Sequence, residues 1–308
     1  MTEPDTATLH PLGPALASTH IPSLPLLARG KVRDNYAVGS DRLLMVASDR
    51  LSAFDVVMKA PVPGKGVLLT QMALFWFHHL RDLVPNHLTG EAPESVVQAD
   101  EVAQVRGRSM LVKRLTPLPC EAVVRAHVAG SGWQEYLRQG TVCGLPLPPG
   151  LDMLQPLAEP LFTPATKAAI GAHDQNISFG QLESLLGQAR AAEVRATALR
   201  IFQAASTYAA TRGIVLADTK FEFGLDEAGT LTLMDEVLTP DSSRFWLADA
   251  LRQGRIEALD KQPLRDWLAS TGVTGGAAQA ALDLPPAVIA GVQERYARAH
   301  HMLCEVQA

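Results

Sequence analysis

The feature that most constrains this chain is an alternation of charged and uncharged residues between positions 218 and 223. Successive side chains of a β-strand point to opposite faces, so every second residue shares a face. One face would carry Asp218, Lys220 and Glu222, and the other Thr219, Phe221 and Phe223. Two carboxylates around one lysine suit a polar site better than a core. The pattern predicts a strand over Ile214–Phe223 with one charged face.

A second strand is predicted to return alongside the first, over Thr230–Val237. This return places Asp235 and Glu236 within a residue or two of facing Glu222. Cross-strand neighbours lie roughly 5 Å apart, which is close enough for two carboxylates to share a divalent cation. Mg²⁺ favours one or two carboxylates together with water and nucleotide phosphates. The alternative is a solvated hairpin face with alternating charges, and spacing alone does not decide between the two.

A candidate anion clamp follows the hairpin directly, in the segment Thr239–Arg244, which reads TPDSSR. Hydroxyl groups beside a guanidinium in a proline-initiated loop can hold a phosphate or a carboxylate, because arginine donates two parallel hydrogen bonds. The alternative is a helix N-cap at Asp241 or Ser242 ahead of Phe245–Leu251. Both interpretations can hold together.

A second candidate anion site is the sequence Gly130-Ser131-Gly132, which follows a predicted strand carrying Arg125 and precedes a short predicted helix. Backbone N–H groups at a helix start attract phosphate, and glycine permits close approach. A plain glycine-rich turn is the alternative.

A third basic segment, Arg29–Asp34, places three cationic residues around Gly30 ahead of a predicted strand. Such a loop could fold over nucleotide phosphates, with Lys31 as a point charge. It is not a P-loop, because the G-x4-G-K-[ST] pattern is missing. Taken alone, these six residues favour a basic surface turn.

The composition limits the classes of protein that the chain can represent. With 308 residues, of which 47% are apolar, it can bury a sizeable core, most naturally in two lobes. A net charge of −5 argues against a nucleic-acid scaffold. Three widely spaced cysteines indicate a reducing compartment. No apolar run approaches the roughly 20 residues that span a bilayer, and the N-terminus does not resemble a signal peptide. We therefore expect a cytoplasmic protein without membrane or nucleic-acid partners.

The remaining elements divide into a strand-rich first lobe, residues 1–116, and an α+β second lobe, residues 117–308, that ends in a helical tail. The predicted strands are Leu43–Ala47, Met110–Leu115 and Ala122–Val128. The predicted helices are Leu68–Leu80, Trp133–Arg138 and Ser178–Arg212. The last helix carries an apolar seam at Val194, Ala198, Ile201, Ala205 and Tyr208.

The order and wording of these motifs together closely resemble the SAICAR (phosphoribosylaminoimidazole-succinocarboxamide) synthetase family, in its longer, yeast-like form. The resemblance runs from about Arg29 to Trp246. Its motifs are Arg29–Asp34, Ser48–Asp55, Lys65–Gln71, Val124–Trp133, Phe162–Ser178, Ala217–Gly224 and Met234–Trp246.

The resemblance implies a two-lobed α+β fold with an ATP site between the lobes, reminiscent of protein kinases and ATP-grasp enzymes. It also implies an ATP-dependent ligase that joins L-aspartate to the carboxylate of a carboxyaminoimidazole ribonucleotide (CAIR). Glu222 and Asp235 would hold Mg²⁺–ATP. The other ATP contacts would be Gly30, Lys31, Arg33 and Lys113, and the ribonucleotide contacts Asp55, Arg125, Ser131 and Arg244. Lys220 and Asp218 would act in catalysis, with Asp218 beside the ribonucleotide.

Two rival functions remain open at the level of sequence. A kinase-like small-molecule phosphotransferase would share the nucleotide site but make a phosphorylated product instead of an amide. A nucleotide-binding module would not release ADP at all. The sequence leaves open the oligomeric state, the residues that bind aspartate, the lifetime of any acyl phosphate, and the roles of the first 25 residues and the C-terminal helices.

Overall fold

A computed structural model describes residues 14–54, 56–167, 174–273 and 276–305. Its strands, in chain order, are β1 (Leu26–Arg29), β2 (Arg33–Val38), β3 (Arg42–Ala47), β4 (Ser52–Ala53), β5 (Val56–Val57), β6 (Ser109–Lys113), β7 (Thr116–Pro117), β8 (Cys120–Arg125), β9 (Thr141–Val142), β10 (Leu145–Pro146), β11 (Leu161–Phe162), β12 (Ala165–Thr166), β13 (Ile214–Leu225), β14 (Leu231–Met234) and β15 (Ser243–Leu247).

The helices are α1 (Lys65–His79), α2 (Val102–Val105), α3 (Gly130–Gln139), α4 (Phe179–Leu186), α5 (Gln188–Thr211), α6 (Ala248–Arg252), α7 (Gln262–Thr271), α8 (Gly276–Ala280) and α9 (Pro286–Cys304), with a 3₁₀ turn at Pro93–Val96. Within the described residues, no helix is both long enough and apolar enough to cross a membrane.

Two antiparallel sheets organise the fold. The first sheet has the order β1-β2-β3-β6. The second has the order β11-β8-β13-β14, and β7, β12 and β15 also pair with its strands. The long strand β13 lies at the centre of the second sheet, where β15 pairs with its residues 214–219, β8 with residues 218–221 and β14 with residues 222–225. Residues on β13 are therefore flanked by backbone on both sides, which fixes the side chains of its charged face.

The main core is built from α1, α5 and the second sheet. The predicted seam of α5 is buried at Val194, Ala198, Ile201 and Ala205, whereas Tyr208 is half-buried. The aromatic face of β13 enters the same cluster through Phe221 and Phe223. Alternation along β13 thus separates an apolar core from a charged face, as the sequence predicts.

Several predicted boundaries are wrong. The single helix over Ser178–Arg212 is two helices, because Gly187 has φ 81° and ψ 149° and ends α4. The return strand stops at Met234 because Asp235 has φ 66°, in the left-handed region. Helices α1 and α3 begin three residues earlier than predicted, at Lys65 and Gly130. The strands predicted over Met110–Leu115 and Ala122–Val128 lie instead at Ser109–Lys113 and Cys120–Arg125.

The C-terminal helices fold back onto the beginning of the chain. Leu264, Leu268 and Tyr296 are buried in one apolar cluster with Leu51 and Leu68. This cluster joins residues on both sides of position 116. The lobe division at 116/117 stays a prediction.

A close approach of backbone explains one glycine of α1. A Cβ on Gly66 would lie 2.4 Å from the carbonyl oxygen of Ala47. We expect Gly66→Ala to lower the free energy of unfolding by about 1–3 kcal/mol, because neither the strand end nor the helix can yield without distortion.

Gly180, an exposed glycine of α4, is a matched control, since a Cβ there would meet nothing within 4 Å. Gly180→Ala is expected to raise the free energy of unfolding by about 0.5–1 kcal/mol. Urea unfolding of both variants checks the pair, and equal stability of Gly66→Ala and the unaltered protein would contradict it.

Candidate active site

The charged face of β13 carries its three predicted residues in line. Lys220 lies between the other two, with its Nζ 2.5 Å from Glu121 Oε1 and 4.0 Å from Glu222 Oε1. Burial disfavours the charge of Lys220, but Glu121 and Glu222 outweigh burial and raise its pKa. Burial also raises the pKa of Glu121 despite the attraction of Lys220. Lys220 is therefore held as a cation between carboxylates.

The candidate metal ligands Glu222 and Asp235 lie at one end of this face. Glu222 pairs across the hairpin with Met234, so Asp235 follows directly, as predicted within a residue. Burial raises the pKa of Asp235, and the positive charge of Arg33 opposes that rise. The negative charge of Glu222 raises the pKa further, because the two carboxylates repel one another. A divalent cation would relieve that repulsion, and these residues fit one.

Each of these carboxylates meets a cation of the protein. Glu222 contacts Lys167 Nζ. Asp235 Oδ2 lies 2.5 Å from Arg33 Nη2, and the adjacent Glu236 lies 3.2 Å from Arg33 Nη1. In the described part of the chain, no cluster of three or more His, Cys, Asp or Glu residues could hold a metal ion. Further ligands would therefore have to come from a nucleotide or from water.

Residues of both candidate anion sites meet at the other end of the charged face, where Asp218, Arg125, Ser131 and Arg244 form one anion clamp. Asp218 Oδ2 accepts hydrogen bonds from Arg125 at 2.8 Å and from Arg244 at 2.6 Å. Arg125 also donates to Ser131 Oγ at 3.2 Å. Burial lowers the pKa of Arg125, whereas Asp218 outweighs burial at Arg244 and raises its pKa. Four predicted residues from four chain segments thus form one group.

Glycine is required beside this clamp because the guanidinium groups pass directly over the backbone. A Cβ on Gly130, whose φ is +56°, would lie 2.2 Å from Arg244 Nη2. A Cβ on Gly132 would lie 3.1 Å from Arg125 Nε. The glycine-rich sequence is therefore more than a turn: it makes room for both arginines.

The Arg29–Asp34 segment forms the turn between β1 and β2. Gly30 N donates to Arg33 O at 2.7 Å, which closes the turn. Arg50 braces it from outside by donating to the carbonyl oxygens of Lys31 and Gly30, both at 3.0 Å. Through Arg33, this turn of the first sheet reaches Asp235 of the second.

Lys113 does not lie beside that turn. It pairs with Arg42 at the opposite end of β3 from Ala47, which pairs with Arg33. Buried His87 links the two sheets, because its carbonyl oxygen accepts from Lys113 N and its N–H donates to the carbonyl oxygen of Leu233. Burial, with Arg33 and Lys113 adding to it, lowers the pKa of His87 to about 3, so its ring is neutral.

The comparison with known families decides what this arrangement belongs to. The model of the SAICAR synthetase family matches residues 26–280. The chain belongs to the SAICAR synthetase family. The family, the α+β fold and the ligase activity predicted from the sequence are thereby confirmed: this is an ATP-dependent SAICAR synthase of purine biosynthesis.

Individual relatives agree. The chain is 58% identical to a phosphoribosylaminoimidazole-succinocarboxamide synthase of Polaromonas sp., over 92% of this chain and 97% of that protein. It is 64% identical to the enzyme of that name from Methylibium petroleiphilum, over 84% of this chain and 87% of the relative. The kinase-like and non-catalytic alternatives are set aside.

Solved structures of SAICAR synthetases match the fold. The Saccharomyces cerevisiae SAICAR synthase complexed with SAICAR aligns with a TM-score of 0.84 and 38% identity, covering 96% of this chain and 99% of that one. A SAICAR synthetase in complex with ADP aligns with a TM-score of 0.67 and 25% identity, covering 91% and 98%.

Some predicted site residues lie elsewhere or outside the described residues. Asp55 is outside the described residues, as are residues 168–173 of the Phe162–Ser178 motif. The alternative of a helix N-cap at Asp241 or Ser242 is wrong, because Ser243–Leu247 is strand β15 and α6 begins at Ala248.

Two functional candidates of this SAICAR synthetase were missed, namely Glu121 and Lys167. Both belong to neighbours of the central strand: Glu121 lies on β8, and Lys167 follows β12, which pairs with β8. Alternation along β8 places Glu121 on the same face as Arg125, which was a usable signal. For Lys167 strand alternation offers none, because β12 has only two residues, although Lys167 lies within the Phe162–Ser178 motif of the family resemblance.

Proposed function

We propose that this SAICAR synthase joins L-aspartate to CAIR through an acyl phosphate, with the ribonucleotide held at the Asp218 end of the charged face and Mg²⁺–ATP at the Glu222 end. The observation that carries the proposal is that β13 carries both Asp218, the shared carboxylate of the anion clamp, and Glu222, one of the two candidate metal ligands, with Lys220 between them. Four residues along a strand span about 13 Å, so the two groups can bind different parts of one reacting pair.

At the nucleotide end, Glu222 and Asp235 would hold Mg²⁺, which when bound offsets the charge of the phosphates. The turn carrying Gly30, Lys31 and Arg33 lies on the first sheet and reaches this end through Arg33. It would bring positive charge to the phosphates beside the carboxylates. Lys113, farther along the first sheet, would contact ATP away from that turn.

At the ribonucleotide end, Arg244 and Ser131 would bind the phosphate of CAIR together with Arg125. Asp218 holds both guanidinium groups in place by accepting a hydrogen bond from each. Arginine suits this role because its planar fork matches phosphate geometry. Asp55 stays a prediction for the same substrate.

The reaction then proceeds in two displacements. A carboxylate oxygen of CAIR attacks the γ-phosphorus of ATP and the bond to ADP breaks. The amine of aspartate next attacks the acyl carbon, loses a proton, and expels inorganic phosphate. Lys220, kept cationic by Glu121 and Glu222, would offset the negative charge between nucleotide and acceptor. The protein contributes positioning and charge rather than a covalent nucleophile.

We expect the reaction to take place in the cytoplasm, where the free thiols of Cys120, Cys143 and Cys304 are stable.

Isotope transfer tests the acyl phosphate. With CAIR labelled by ¹⁸O in its carboxylate, one labelled oxygen is expected to appear in the inorganic phosphate, because the carbon–oxygen bond breaks in the second displacement. Mass analysis of the released phosphate measures this transfer, with unlabelled CAIR as the control. Phosphate free of ¹⁸O beside a normal yield of amide would exclude the acyl phosphate.

A further inference from the structure

A buried carboxylate lies in the middle of the clamp loop Thr239–Arg244. The side chain of Asp241 is 4% exposed, and its Oδ2 lies 2.7 Å from Lys65 Nζ. Its Oδ1 accepts a hydrogen bond from the hydroxyl of Tyr296 and lies 3.7 Å from Lys261 Nζ. Burial would raise the pKa of Asp241, but Lys261 and Lys65 outweigh it and hold that pKa well below its usual range.

The three partners of Asp241 come from separate parts of the chain. Lys65 is the first residue of α1, Lys261 directly precedes α7, and Tyr296 lies on α9. The side chain of Lys65 is completely buried. Asp241 is thus the point at which the C-terminal helices and α1 are bonded to the clamp loop.

The same loop carries bonds to both ends of the charged face. Thr239 Oγ1 donates to Glu236 Oε2 at 2.8 Å, next to Asp235. The carbonyl oxygen of Ser242 accepts from Lys220 N at 3.0 Å, and Arg244 donates to Asp218 at 2.6 Å. Asp241 itself makes none of these contacts, but it lies two residues from Thr239 and three from Arg244. Asp241 therefore anchors the loop that leads directly into β15, the strand from which the Arg244 side chain reaches the clamp.

We propose that Tyr296, together with Lys65, positions Asp241 and through it Arg244, so that the last helix sets the affinity of the enzyme for its ribonucleotide substrate. Tyr296 touches no reacting atom in this arrangement and is a positioning residue. The inference rests on the proposed function, in which Arg244 binds the phosphate of CAIR. It gives the C-terminal helices a role in substrate binding beyond covering the apolar cluster around Leu51.

The test is Tyr296→Phe, which keeps the ring and removes the hydroxyl. We expect the KM for CAIR to rise roughly tenfold, as suits the loss of one hydrogen bond to a charged group. The KM for ATP should stay within about twofold, because the loop reaches the nucleotide end through Glu236, which is not a candidate metal ligand, whereas Arg244 belongs to the clamp itself. Lys261→Met, which removes the longer contact to Asp241, should raise the KM for CAIR by a smaller factor.

Tyr208→Phe is the matched control. Its hydroxyl donates to the carbonyl oxygen of Leu303 at 2.8 Å, so the variant also loses a hydrogen bond to α9 but leaves the clamp loop untouched. Its KM for CAIR should equal that of the unaltered enzyme. If Tyr296→Phe lowers the melting temperature but leaves the KM for CAIR unchanged, Tyr296 only stabilises the fold and the inference is overturned.

Arg244→Lys separates this inference from the proposal on which it rests. A raised KM for CAIR in Arg244→Lys, with no change in Tyr296→Phe, would reject the role of Tyr296 and keep the clamp. An unchanged KM for CAIR in both variants would reject the clamp itself.

Discussion

The Asp235→Asn variant is expected to form ADP at least about a hundredfold more slowly than the unaltered enzyme, because one of two candidate carboxylates for Mg²⁺–ATP loses its charge. Its fold should persist. Burial and Glu222 already oppose the ionised form of Asp235, so an amide removes a repulsion as well as the contact with Arg33. ADP release measured over a range of Mg²⁺ concentrations, beside urea unfolding, checks both statements.

The control for this variant is Asp249→Asn. Asp249 is an exposed residue of α6, and within the described residues its carboxylate pairs only with Arg252. It should leave ADP release unaltered. Full turnover of Asp235→Asn at ordinary Mg²⁺ concentrations would remove Asp235 from the metal site and leave Glu222 as the remaining candidate.

Asp218→Asn is expected to be the most destabilising single substitution in the site. Asp218 is the carboxylate that Arg125 and Arg244 share, and the Arg125 side chain is only 4% exposed. Removing one partner of a buried ion pair costs about 3–5 kcal/mol, since the remaining charge stays buried without compensation. Here two neighbouring guanidinium groups would remain. We therefore expect a loss of that size in the free energy of unfolding, together with loss of CAIR-dependent turnover.

Tryptophan fluorescence during urea unfolding measures the effect of Asp218→Asn. Asp226→Asn is its control on the same hairpin, because the half-buried carboxylate of Asp226 accepts hydrogen bonds from the backbone N–H groups of Ala228 and Thr230 within its own turn. We expect that variant to lose about 1 kcal/mol and to keep its turnover. Equal stability of Asp218→Asn and the unaltered protein would show that the two arginines do not depend on this carboxylate.

The local sequence pattern predicted more of the structure in the central hairpin than elsewhere in the chain. Alternation alone assigns Lys220 to the charged face and Phe221 to the core, because both follow from the geometry of one strand. The position of Asp235 beside Glu222 followed from the length of the turn. These residues lie close in the chain, so no knowledge of the remaining fold was needed.

Contacts between distant segments could not be predicted in the same way. The pairs Lys65–Asp241 and Lys167–Glu222 depend on how α1 and β12 are placed against the second sheet. Nothing in the local sequence specifies that placement. The helix break at Gly187 was missed for a different reason: apolar periodicity continues across it, and one glycine within a helical pattern is often tolerated.

The measurement that tests the central claim most directly is ADP release with Mg²⁺–ATP and CAIR, with and without L-aspartate, together with the mass of the product. We predict steady ADP release that depends on aspartate, in a one-to-one ratio with a product carrying the mass of the aspartate adduct. ADP release without an adduct, or a phosphorylated product that persists, would contradict ligation at this site.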